Sequence, residues 1–72
     1  MNDLKKEFGA RLRLLRIQRQ ITQEQLSAAA NLSVDFLSLI ERGKNSPSFA
    51  SLEKLAQALK VPVQELFNFH EQ

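Results

Sequence analysis

Catalysis needs nucleophilic or ionisable side chains held together, and this 72-residue chain offers few of them. His70 is its single histidine. It stands near the chain end, where a tail frays more readily than it holds a site. Asp35 and Glu41 are the one imaginable carboxylate pair. Six residues apart on a short helix, with Glu41 beside Arg42, they read instead as a helix cap and an ion pair. No G-x-S-x-G, P-loop or H-E-x-x-H occurs. The absence of cysteine excludes disulfides and thiolate metal centres, and fits a reducing interior. The chain is expected to be no enzyme and to hold no metal and no cofactor. What remains is recognition.

Charge gives that recognition a direction. The net charge is only +2, yet residues 3 to 19 carry Lys5, Lys6, Arg11, Arg13, Arg16 and Arg19 against Asp3 and Glu7. Arg42 and Lys44 form a second basic spot, while the stretch from Ser46 onward is slightly acidic. Such asymmetry suits a polyanion on one side of the molecule, although a solvated helix face explains it nearly as well. A membrane is not the expected partner, because no apolar run approaches the roughly 18 residues of a span. The opening MNDLKKEFGARLRLL also lacks the apolar segment of a signal peptide, so a cytoplasmic protein is expected.

Five short helices can be placed on this single domain of residues 1–72. Leu4, Phe8, Leu12 and Leu15 step by four, four and three, which predicts a helix from about Asp3 to Arg19. Thr22 is an N-cap with Gln25 in capping-box position, opening a second helix over about 23–30. Asn31 ends it, since asparagine tolerates the left-handed conformation. Ser33 caps a third helix from Val34 to about Arg42, with Asp35 favouring its dipole, and Gly43 closes it. Ser48 caps a fourth, with Phe49, Leu52, Leu55, Ala56 and Leu59 inward, and Pro62 starts a fifth, with Leu66 and Phe67 inward. Nothing alternates as a strand does, so the class is all-α. Only Gly9 falls inside an element, away from its ends.

Helices two and three are joined by three or four residues around NLS. So short a link forces a sharp bend, the helix-turn-helix arrangement, here over about 23–42. Leu32 in the turn, with Leu37 and Ile40, would bury against Leu26 and Ala30.

The stretch from Phe8 to Phe67 resembles the lambda-repressor/Cro-like helix-turn-helix domain (the xenobiotic-response-element family). FGARLRLLR is similar to its opening helix, TQEQLS to its second, and LSLIERGKNSPSFASLEKLAQALKVPVQELF to the remainder. The resemblance implies a compact five-helix domain whose third helix enters the major groove of double-stranded DNA. It implies a phosphate anchor at Gln23. It also implies that Arg16 and Glu41 bridge helix one to the end of helix three as a structural ion pair. The family usually has glycine where this chain has Asn31 and often where it has Lys60. Held left-handed, Lys60 would cost about 1 kcal/mol or more, so helix four is expected to end differently.

On a third helix starting at Val34, the residues near the groove are Val34, Asp35, Ser38 and Leu39. None is Arg, Lys, Asn or Gln, so the bidentate pairings to purines are missing. Val34 and Leu39 can pack on thymine methyls, Asp35 can accept from cytosine N4, and Ser38 can bond either edge. Asp35 has an equal claim as a helix cap. Phosphate contacts are expected from Gln23, Ser33, Arg42, Lys44, Asn45 and Arg13, with Arg42 or Lys44 as alternative base readers. Binding would then lean on phosphates and on DNA shape.

One helix-turn-helix covers a single half-site, so a homodimer on an inverted repeat is expected. The helix expected at about 62–69 is more apolar than a short terminal helix needs. Val63, Phe67 and Phe69 are therefore the candidate two-fold interface. Leu14 and Ile17 lie off the Leu12–Leu15 face, as scattered surface residues or as a patch for a second protein. The latter supports a rival reading, an interaction module such as an antitoxin with little DNA binding of its own. Within the main reading, the size suits a repressor of the Cro kind, a restriction-modification controller or a small antitoxin.

Overall fold

In the computed structural model, which describes residues 3–71, every α-helix opens on an oxygen that caps it. Helix α1 (Leu4–Gln18) starts under Asp3, whose carboxylate accepts from the Lys5 and Lys6 N–H groups. Helix α2 (Gln23–Ala29) starts under Thr22 with a complete capping box to Gln25. Ser33 accepts from the Phe36 N–H to open α3 (Val34–Glu41), and Ser48 from the Ser51 N–H to open α4 (Phe49–Leu59). No strand occurs among the described residues.

All four helices also stop alike. After each one the chain places a residue at positive φ: Gln20 (58°), Asn31 (58°), Gly43 (76°) and Lys60 (59°). The following N–H then reaches back five residues. Ile21 bonds the Arg16 carbonyl at 3.1 Å, Leu32 that of Ser27 at 2.8 Å, Lys44 that of Leu39 at 2.9 Å and Val61 that of Ala56 at 3.0 Å. This is the Schellman closure, which satisfies otherwise orphaned carbonyls. Three of the four residues past the stop, Ile21, Leu32 and Val61, pack against the core, so each stop also steers an apolar side chain inward.

Lys60 thus holds the left-handed conformation that its side chain was expected to resist. The Val61 contact and the closing hydrogen bond outweigh the strain. Left-handed backbone costs a non-glycine residue about 1–2 kcal/mol, while glycine loses about 0.4–1 kcal/mol through its freer unfolded chain. Lys60→Gly is therefore expected to stabilise the domain by about 0.5–1 kcal/mol. A melting point raised by about 3–6 °C would show it. An unchanged or lowered midpoint would mean that the strain is relieved elsewhere.

Two sequence expectations change here. The fifth helix is not α: after extended Pro62 the chain forms a 3₁₀ turn, Val63–Phe67, and a second at Phe69–Glu71. The Glu65 N–H bonds Pro62 at 2.9 Å, three residues back, and Arg11 Nε bonds the Glu65 carbonyl at 2.9 Å. The same carbonyl also accepts from the Asn68 N–H, three residues on, at 3.3 Å, as a 3₁₀ turn requires. The described residues form four α-helices and a 3₁₀ tail. The second correction concerns Leu4 and Phe49, which periodicity places inside and the structure leaves exposed. Each is the first residue of its helix, and helical side chains lean toward the N-terminus, here past the last covering turn.

The core is one cluster built on Leu12, Leu26, Leu37, Ile40, Leu55, Leu59 and Leu66, all wholly buried. Helix α1 lies across α3 and the 3₁₀ turn, and α2 lies against α3 and α4. Gly9, buried in the middle of α1, allows α1 to approach the last turn of α3 so closely that backbone meets backbone. Arg11, Ser27 and Glu41 are also buried. Among the described residues, no buried side-chain nitrogen or oxygen lacks a partner.

Candidate nucleic-acid interface

A network at the junction of three helices positions α3. Arg16 of α1 places Nε 2.7 Å and Nη2 3.2 Å from the two Glu41 carboxylate oxygens at the end of α3. Its Nη1 bonds the Ile21 carbonyl at 2.9 Å, in the link to α2. Gln23, at the start of α2, donates Nε2 to Glu41 Oε1 at 3.0 Å. The two helices of the helix-turn-helix are therefore tied to each other and to α1 by one carboxylate.

Gln23 was missed as a member of this network. Its amide, expected on a phosphate, is turned onto Glu41, with one amide hydrogen left for another acceptor. The N-terminal position next to a capping box was legible; the direction of a side chain eighteen residues from its partner was not.

Along α3, Leu37 and Ile40 are buried, Phe36 is half-buried against the core, and Val34 and Asp35 face solvent. Ser38 and Leu39 are half-buried. Exposed Arg42, Lys44 and Asn45 follow. The hydroxyl of Ser33 accepts from Phe36 as a cap and keeps its own hydrogen to donate. Arg13, exposed on α1, borders a shallow groove of about 390 Å³ with Ala10, Leu14, Ile17 and Glu41. Arg13 therefore stands on the same side of the molecule as the Glu41 junction.

The basic character of α1 is smaller than its composition suggests. Arg11 is buried, with Nη2 2.9 Å from Glu65 Oε2, and Arg16 is committed to Glu41. Arg19 donates Nε to the Leu59 carbonyl at 2.6 Å. Among the described residues, Lys5, Lys6 and Arg13 are the cations of that helix whose side chains stay exposed. Spacing could have located Arg11, which sits three after Phe8 and four before Leu15, on the buried face.

At the other end, Val63 is exposed and Phe69 is half-buried, and Phe67, expected inward beside Leu66, is exposed as well. The Phe67 ring stacks at a tilt on Phe8, with centroids 5.2 Å apart, and meets Phe69 edge-on at 6.3 Å. His70 lies in the second 3₁₀ turn. No group of metal-ligating side chains occurs among the described residues, and none of their helices is long and apolar enough to cross a membrane.

This architecture has relatives. A helix-turn-helix family profile matches residues 12–66. The control protein C.MunI of a Mycoplasma species is 38% identical over 69 residues, covering 94% of this chain and 93% of that one. The crystal structure of the restriction-modification controller protein C.AhdI from Aeromonas hydrophila superposes with a TM-score of 0.84 at 37% identity, over 86% of this chain and 94% of that one. The HTH-type transcriptional repressor RghR of Bacillus subtilis is 43% identical over 60 residues, 82% of this chain but 44% of the longer relative.

Proposed function

The chain belongs to the helix-turn-helix family, and from that membership we propose that it is a transcriptional regulator that binds double-stranded DNA as a homodimer on an inverted repeat. The observation that carries the reading is α3 itself. Its inner face is sealed in the core, while Val34 and Asp35 are presented outward and Ser38 and Leu39 remain partly accessible. Helix α3 enters the major groove. Val34 and Leu39 meet thymine methyls, Ser38 bonds a base edge, and Asp35 accepts from cytosine or stays as a first-turn anion. Arg13, Arg42 and Lys44, with Ser33, Asn45 and the remaining Gln23 hydrogen, hold phosphates on either side. C.MunI and C.AhdI, matched over nearly their whole lengths, favour a controller-type regulator of restriction-modification.

Three exposed cations per copy make six per dimer, which predicts a log–log salt slope near about −5. Affinity is expected to fall about a thousandfold between about 50 and 200 mM salt. Lys44→Ala should make the slope shallower by about two units without changing the preferred sequence. Selection of duplexes from a random pool, followed by salt titration of the enriched site, tests both statements. An inverted repeat with half-sites about one helical turn apart is expected. A flat salt response, or a pool without enrichment, defeats the reading.

Exposed Ile17 and half-buried Leu14 beside the Arg13 groove favour one second reading, a docking face for another protein. A chain of that kind would retain no duplex in the same selection.

A further inference from the structure

Leu4 and Phe49 lie apart in sequence, yet both were expected inside, both are exposed, and both line the same groove. Its volume is about 220 Å³, and Lys5, Phe8, Pro47, Leu52 and Phe67 complete its walls. Phe49 is 87% exposed, Leu4 58%, Phe67 39% and Val63, on the same 3₁₀ turn as Phe67, 37%. Phe49 alone presents on the order of 200 Å². Phe49, Leu4 and Phe67, which line the groove, reach roughly 350 Å² per copy, under half of what each partner contributes to a standard interface. A mainly apolar patch of this extent, at positions where the core pattern fails, marks a contact surface.

We infer that this groove is a knob-and-socket joint between two copies of the chain. Phe49 of each copy seats in the Leu4–Phe8–Phe67 groove of the other. The inference rests on the dimeric regulator reading and names the anchor of its dimer.

Three features favour a second copy over a different protein. A two-fold interface must carry projection and recess on the same patch, and this one does: Phe49 stands at the edge of the groove that would receive its counterpart. Charge agrees. Glu53, exposed four residues after Phe49, shares its face of α4 and travels with it to the partner, where exposed Lys5 lines the receiving groove. The two-fold axis repeats that pairing. Location agrees as well, because the groove borders the loop that leaves α3 at Asn45 and Pro47. A joint here sets the two α3 helices beside one another, as successive half-sites require.

Sedimentation equilibrium of the full chain without DNA tests the joint. The wild-type chain is expected to dimerise, and Phe49→Ala to raise the dimer dissociation constant about 30-fold or more. Helical content and melting at concentrations where both proteins are monomers should match. Lys5→Glu and Glu53→Lys should each weaken association, and the double exchange should restore it, a recovery that general misfolding would not give. A Phe49→Ala chain that associates like wild type overturns the inference. So does a wild-type chain that stays monomeric up to about 0.1 mM. If Phe49→Ala still dimerises and still selects the inverted repeat, the regulator reading stands and only the joint is wrong. A monomeric wild type that also selects no duplex removes both.

Discussion

Gly9→Ala should cost the domain about 2 kcal/mol, although it replaces the poorer helix former with the best one. Two effects oppose each other at this position. Alanine inside a helix is favoured over glycine by about 0.8–1 kcal/mol. Against that, a Cβ on residue 9 would lie 2.7 Å from the Glu41 carbonyl oxygen and closer still to that of Ile40. Both obstacles are backbone at the end of α3, so no rotamer change relieves them. Helix α1 must back away, and overpacking of this kind typically costs about 1–3 kcal/mol and occasionally more. The displaced helix also carries Arg16, so the clash strains the Arg16–Glu41 contact at the same time. The clash wins. A domain of this size is expected to have a total stability of about 4–11 kcal/mol, so urea titration should show a large loss. A Gly9→Ala midpoint equal to or above wild type would show that α1 and α3 can separate at little expense.

Glu41→Ala should cost about 3–5 kcal/mol, as much as truncating a fully buried core residue. The Glu41 side chain is 2% exposed and that of Arg16 12%. Removing the carboxylate therefore strands a nearly buried guanidinium, left with the Ile21 carbonyl, and leaves the Gln23 amide without its acceptor. The loss reflects those uncompensated groups more than the net worth of the pair, since burying two charges is itself costly. A melting point lowered by more than about 12 °C is expected. Glu41→Gln, which keeps an acceptor for Arg16, should lose less. Residual DNA binding per folded molecule should change far less than stability. If Glu41→Ala melted with wild type while losing its DNA, Glu41 would be a reading residue and not a support.

How much could be read in the residues themselves varies with the range of the interaction. Helix starts were legible because Thr22, Ser33 and Ser48 act on N–H groups within three residues. The stops at Asn31 and Gly43 were legible for the same reason, and Gln20 and Lys60 were not, because side-chain preference there yields to the packing of Ile21 and Val61. Periodicity found the inner faces of α1 and α4 but placed their first residues wrongly, since it does not record where a neighbouring helix ceases to cover. The 3₁₀ tail depends on Arg11 reaching across 54 residues to Glu65, beyond any local signal. On the candidate site, residue types delimited what α3 can read. The turning of Gln23 onto Glu41 required the fold.

The four stops have a consequence outside structure. Three of them hold residues other than glycine in the left-handed region, and Gln20 and Lys60 adjoin through the Arg19–Leu59 hydrogen bond, so changes in stability at those two are expected to be coupled. For a regulator, output follows copy number, and a change of about 1–2 kcal/mol can alter the steady-state amount of a protein several-fold through proteolytic triage. Gln20, Asn31 and Lys60 are therefore points at which dosage can be tuned in either direction by mutation while the outward face of α3 stays as it is.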